Sequence, residues 1–129
     1  DRPKAVLLSA VEKVNPKMPS TTESAIIAKM ADRGQIKGAI VDGPLALDVA
    51  FSEESARIKG LVSPVAGDAD ILVFPGIEAG NIFFKACTYL AKAELGAVVA
   101  GATCPCVLTS RGDSEDTKFY SIALASLLS

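Results

Sequence analysis

A chain of 129 residues with thirteen basic and fifteen acidic side chains, formal charge −2, has no basic excess with which to hold nucleic acid or an anionic membrane surface. Half of it is hydrophobic, but with only five Phe, two Tyr and no Trp the core must come from Ala, Val, Ile and Leu, as when helices pack on a sheet. Histidine is absent, which excludes any His base or metal ligand and leaves Ser, Asp, Glu, Lys, Arg and Cys to carry chemistry.

From the amino terminus, "KAVLLSAV" (4–11) has the length of a buried strand, and the two prolines of "NPKMP" follow it as a loop. Ser20 and Glu23 have capping-box spacing, so a helix is predicted from about Thr21 to Arg33, with Ala25, Ile26, Lys29 and Met30 at helical spacing and Gly34 as its stop. "KGAIVDGP" reads as a second strand, and "LALDVAFSEESARIK" as one or two short helices broken near Ser52. "DILVFPG" (70–76) is a third strand, and "IEAGNIFFKACTYLAKAEL" a long helix with Ile82, Ala86, Tyr89 and Leu90 on one face. "GAVVAGA" and "PCVLTS" read as a fourth and fifth strand, and "SEDTKFYSIALASLLS" as a terminal helix. Alternating strands and helices predict an α/β fold: a mostly parallel sheet with helices on both faces. No repeat or low-complexity segment marks an internal boundary, and the length suits one domain.

The apolar runs are too short to cross a bilayer. Cys87, Cys104 and Cys106 are odd in number and do not form a disulfide framework, so a reducing compartment, the cytoplasm, is expected. Cys104-Pro105-Cys106 is a weak metal motif without histidine and is read as buried small residues. The chain starts at Asp1 without a leader-like segment, and a piece of a larger protein is the expected origin.

In a parallel sheet, ligands bind beyond the carboxyl ends of the strands. "TSRGDSED" lies there, with a hydroxyl (Ser110) and a guanidinium (Arg111) just before a helix whose first turn carries Glu115 and Asp116. Free helix N–H groups and an arginine fork suit a phosphate, while the same residues also read as a plain cap, with Asp113 or Ser114 at the N-cap. Arg111-Gly112-Asp113 also spells an adhesion tripeptide, a match too short to carry weight. "SPVAGDADI", with Ser63 and Gly67, either cradles an oxyanion or turns the chain. Gly80 within a helix suggests close backbone approach, and Asn81 and Lys85 share a helical face, either toward a ligand or on the surface. Asp48 in "DGPLALD" either points into a cleft or caps a helix.

In order along the chain, "VDGPLALDVAFSEESA", "SPVAGDADILVFPGIEAGNIFFK" and "PCVLTSRGDSEDTKFYSIALA" resemble the carboxyl-terminal part of the phosphate acetyltransferase and phosphate butyryltransferase family, the last segment being more like the butyryl branch. The resemblance implies reversible transfer of an acyl group between coenzyme A and phosphate, with CoA as a substrate, no permanently bound cofactor, no metal and no covalent enzyme intermediate. Ser110 and Arg111 then bind and polarise the acyl phosphate, and a carboxylate helps to deprotonate the thiol. In the acetyl branch two acidic residues occupy the positions of Asp116 and Thr117, so Asp116 is the candidate base, with Glu115 behind it. Ser63, Gly67, Asn81 and Lys85 are the candidate substrate-binding residues, and Asp68 stands where the acetyl branch often has Arg.

The resemblance further implies an isocitrate/isopropylmalate dehydrogenase-like two-domain fold with its site in the cleft. Residues 1–102 would belong to the second domain and 103–129 would pack on an amino-terminal domain outside this sequence, so the fragment alone is expected to be inactive. The expected partners are acyl-CoA, inorganic phosphate, acyl phosphate, that amino-terminal domain and further copies in a homo-oligomer, with no nucleic acid and no membrane. The alternatives are a phosphate acetyltransferase, or a catalytically silent assembly or ligand-sensing module of the same fold.

Overall fold

The run after Pro3 becomes the central strand of a three-stranded parallel sheet in the computed structural model, which describes residues 2–129. β1 (Lys4–Leu8) is flanked by β2 (Ile40–Leu45) and β3 (Ile71–Val73), in the order β2-β1-β3. Ala5 lies opposite Val41 and Ile71, and Val6 opposite Asp42 and Leu72. A central parallel strand is covered on both faces, and Ala5 to Leu8 are all buried, which explains why this stretch is continuously apolar. The register with β2 shifts between Val6 and Leu8. Gly43 passes there so closely that an added Cβ would stand 2.6 Å from the Leu7 Cβ.

The core joins Val6, Leu8 and Leu45 to Val49, Ala50, Ala56 and Val65. These are the small aliphatic residues that the composition calls for, and full burial of each Val or Leu side chain contributes about 1.5–3 kcal/mol. Val49 and Ala50 come from α2 (Leu47–Phe51), and Ala56 from α3 (Glu53–Ile58). The helices break at Ser52 as expected, because its hydroxyl accepts the Ser55 N–H at 3.1 Å and starts the second one.

α1 (Pro19–Asp32) corrects two expectations. The capping box does not form: Pro19 occupies the first turn, where its fixed φ suits the helix start, and so draws Ser20 inside. The Ser20 hydroxyl bonds instead to that of Ser9 at 2.8 Å. The buried face is Thr21, Ser24 and Ala28, while Ile26 is 61% exposed, because small side chains allow close approach to the sheet and Thr21 satisfies its hydroxyl on the Met18 carbonyl at 2.8 Å. The helix does stop at Gly34, which takes φ +73°.

The chain forms two compact units, Asp1–Gly80 and Asn81–Ser129, rather than the single undivided one expected. The boundary falls within α4 (Ile77–Lys85), which runs on as a π-helical turn, Ala86–Leu90, and ends short of the expected "AKAEL". "GAVVAGA" and "PCVLTS" are not strands. An extended apolar segment becomes a strand only by pairing, and here a single backbone bond, Val99 N–H to the Cys106 carbonyl at 2.9 Å, links the two. α5 (Glu115–Leu127) closes the chain. Among the described residues no helix is long and apolar enough to cross a membrane.

Candidate active site

Residues 110–113 form a tight turn in front of α5. The Asp113 N–H donates to the Ser110 carbonyl at 3.1 Å, and the Asp113 carboxylate accepts the Ser110 N–H at 2.8 Å. The Gly112 N–H points at the Ser110 hydroxyl, 3.4 Å away. Arg111 is exposed within this turn, while the Asp113 side chain is only 9% exposed. Of the two candidate caps, Ser114 is the one used: its hydroxyl accepts the Thr117 N–H at 3.1 Å. Glu115 and Asp116 fill the first turn of α5, where negative charge complements the helix dipole.

Lys85, at the end of α4, places its ammonium 3.4 Å from the other Asp113 oxygen. It lies 4.4 Å from the Phe84 ring centre and 5.9 Å from that of Tyr89, so both ring faces add to its positioning. One carboxylate therefore ties the Ser110 backbone to the Lys85 charge. Ser110 and Lys85 line a common cavity of about 580 Å³ with Ile82, Ala86, Tyr89 and Leu90. Asn81 is exposed one helical turn before Lys85.

Asp116 does not line that cavity. It is exposed beside a different cavity of about 210 Å³, lined also by Lys92, Glu94, Thr117 and Tyr120. Thr117 is buried, and its hydroxyl takes a hydrogen bond of 3.0 Å from Ser114, so the position serves the cap.

Ser63 and Gly67 belong to the other unit. The Ser63 hydroxyl faces the Val65 N–H at 3.4 Å, a local turn contact. Gly67 combines φ +77° with a backbone so near that an added Cβ would lie 2.7 Å from the Glu53 nitrogen. Gly80, by contrast, would meet Phe74 only at an ordinary 3.6 Å, so close approach does not account for it. Asp68 pairs with Lys4 at 2.6 Å, and that hydrogen bond raises the Lys4 pKa. Asp48 pairs with Lys59 at 2.9 Å, and Lys59 also reaches Glu12 at 2.7 Å. The hydrogen bond from Lys59 lowers the Asp48 pKa, while those to Glu12 and Asp48 raise that of Lys59.

Sequence reasoning took Asp113 only for a possible cap and passed over Tyr89 as a site residue. A Ser-x-x-Asp spacing around a glycine was the available signal for Asp113; nothing local signals its link to Lys85. Among the described residues no group of three or more Cys, Asp or Glu could hold a metal ion.

The turn before α5 thus carries the Ser110 hydroxyl and the exposed Arg111, with the Lys85 ammonium paired to Asp113 beside it, on an α/β protein. The chain belongs to the phosphate acetyl/butaryl transferase family, whose model matches residues 1–126. It is 59% identical over 127 residues to a phosphate acetyltransferase of Thermotoga maritima, covering 98% of this chain and 43% of that protein. It is 54% identical over 128 residues to a phosphate butyryltransferase of Clostridium acetobutylicum, covering 99% of this chain and 42% of that protein. Among solved structures, a branched-chain phosphotransacylase from Enterococcus faecalis V583 aligns with TM-score 0.85 at 43% identity, over 97% of this chain and 46% of that one. The chain thus spans less than half the length of these relatives.

Proposed function

We propose that this chain supplies the acyl-phosphate half of a phosphate butyryltransferase-type site, for reversible transfer of an acyl group between CoA and inorganic phosphate. The observation that carries this reading is the Ser110–Asp113 turn braced by Lys85. In the direction of acyl-CoA synthesis, Asp116, with Glu115 behind it, takes the proton of the CoA thiol. A thiol with pKa of roughly 8.5 is mostly protonated at neutral pH, so a base raises the reactive fraction. The sulfur attacks the acyl carbonyl, the bond from carbonyl carbon to phosphate oxygen breaks, and phosphate leaves. Arg111 neutralises the phosphate with its planar fork, and Ser110 donates its hydroxyl proton as a hydrogen bond to the oxygen that gains charge. Lys85 and Asn81 of α4 are substrate-binding residues in this reading, as are Ser63 and Gly67 of the other unit.

CoA is a substrate here, and no permanently bound group is required. The aliphatic side chains around Ser110 and Lys85 suit a butyryl chain better than an acetyl group, which would leave much of that surface wet. In this reading an amino-terminal domain completes an isocitrate/isopropylmalate dehydrogenase-like cleft, residues 1–102 belong to the second domain, and residues 103–129 pack on the first. The working protein is a cytoplasmic homo-oligomer.

A second reading, a silent assembly or ligand-sensing module, draws support from Thr117 at an acidic position and from the separate cavities of Ser110 and Asp116. The deciding experiment measures phosphate-dependent thiol release from butyryl-CoA and acetyl-CoA by a protein of family length bearing this sequence. Faster release from butyryl-CoA is expected. Preference for acetyl-CoA would make it an acetyltransferase, and no release from either would leave the silent module.

A further inference from the structure

Cys104 is exposed and Cys106 half-buried, not the buried small residues that their sequence context suggests, but both fall in the segment that packs on the amino-terminal domain in the reading above. The first unit offers a different feature: the loop of residues 9–18, which leaves the carboxyl end of the central strand, β1. That end of a parallel sheet is where ligands bind. The loop is pinned along its length. The Ser9 N–H donates to the Leu45 carbonyl at 2.9 Å, and the Ser9 hydroxyl bonds to that of Ser20. The Asn15 N–H donates to the hydroxyl of the buried Thr21 at 2.9 Å, and the Asn15 side-chain oxygen accepts the Lys17 N–H at 2.9 Å. Glu12, the only carboxylate of the loop, is taken by Lys59 at 2.7 Å.

Lys13 and Lys17 are left exposed, and among the described residues neither makes an ion pair. The helix that follows, α1, has no acidic residue in its first turn. A backbone held in one conformation therefore presents two ammonium groups, neither of them paired to a carboxylate. From this arrangement we propose that Lys13 and Lys17 hold the nucleotide end of CoA, whose diphosphate and 3′-phosphate carry its negative charge. The proposal rests on the reading of CoA as a substrate given above, and adds which residues receive its tail. A lysine is a compact, strongly hydrated point charge, which suits phosphate groups that stay in water, whereas the planar fork of Arg111 suits the phosphate that reacts. The tail is remote from the bonds that change, so its contacts are equally strong in the ground and transition states and act on affinity.

The test measures CoA binding by calorimetry to a family-length protein bearing this sequence, at low and at high KCl, for the unsubstituted protein and for Lys13→Gln/Lys17→Gln. At low salt the Kd of the double variant is expected to be about tenfold higher, and the gap is expected to narrow as salt screens the exposed pairs. Arg33→Gln/Lys37→Gln removes the same charge from exposed side chains between α1 and β2, before the amino end of that strand, and should bind CoA as the unsubstituted protein does. The proposal is overturned if the protein binds no CoA, if the Lys13/Lys17 variant binds it unchanged, or if the Arg33/Lys37 variant loses as much. A loss of equal size at both salt concentrations would also overturn it, because a distorted loop, not lost charge pairs, would then be the cause. Turnover is read separately: a protein that binds CoA through these lysines but releases no thiol from butyryl-CoA would defeat the acyl-transfer reading and leave this one standing.

Discussion

Arg111 presents a planar fork, and lysine keeps its charge without that geometry, so Arg111→Lys should lower kcat/KM in a family-length protein by about a hundredfold. Asp113→Asn keeps an oxygen to accept the Ser110 N–H and gives up only the charge facing Lys85; Asp113→Ala gives up both. The expected order of activity is therefore unsubstituted, Asp113→Asn, Asp113→Ala, and steady-state kinetics at saturating phosphate would read it directly. Equal activity of the two Asp113 variants would mean that the turn does not need its brace. Asp116→Asn should lower kcat more than it raises the KM for CoA, with Glu115→Gln and Thr117→Ala run beside it. An unchanged kcat would remove Asp116 from the chemistry. Ser110, Arg111 and the capping serine could be read in the sequence because they are neighbours in one short segment. The Lys85–Asp113 pair spans 28 residues, and only tertiary folding creates it.

At the scale of elements, Ser114→Ala removes the hydroxyl that starts α5 and should cost about 1 kcal/mol, read as a lower urea midpoint. Gly67→Ala should destabilise more than Gly34→Ala. Both glycines have positive φ, but an added methyl at Gly34 meets open space, whereas at Gly67 it meets the Glu53 backbone. Equal midpoints would refute the packing role given to Gly67. The Lys59 cluster makes a pH prediction. Asp48 has a lowered pKa in the fold, so its contribution is present above the ordinary carboxylate value, near 3.9, and is lost as pH falls through the lower folded value. Lys59 has a raised pKa, so its contribution is present below about 10.4 and lost as pH rises through the higher folded value. The gap in urea midpoint between unsubstituted protein and Lys59→Met should be flat around neutral pH and shrink in acid. Solvent screening keeps it small, and a gap that widened in acid would contradict the pairing. Elements with their own local cues were legible, as the break at Ser52 and the stop at Gly34 show. Segments 96–102 and 105–110 were not, because apolar composition permits a strand while a neighbouring ladder decides it. The start of α1 was misread because Pro19 outweighs a serine-glutamate spacing.

At the scale of the whole molecule, the chain has a parallel sheet and belongs to the phosphate acetyl/butaryl transferase family, while it covers less than half the length of the relatives it matches. The alternation of strands and helices made the α/β class readable, but the division near Gly80 was not, because it falls inside an uninterrupted helical pattern. If the cleft needs a further domain, this chain alone should release no CoA from butyryl-CoA, and turnover by it would show that the site is complete without one. The proposal that the braced Ser110-Arg111 turn receives the phosphate is tested most directly by CoA release from butyryl-CoA in a family-length protein, with and without inorganic phosphate, for the unsubstituted enzyme and Arg111→Lys. Release that requires phosphate and falls about a hundredfold in the variant is the predicted result; release independent of phosphate, or undiminished in Arg111→Lys, would contradict it.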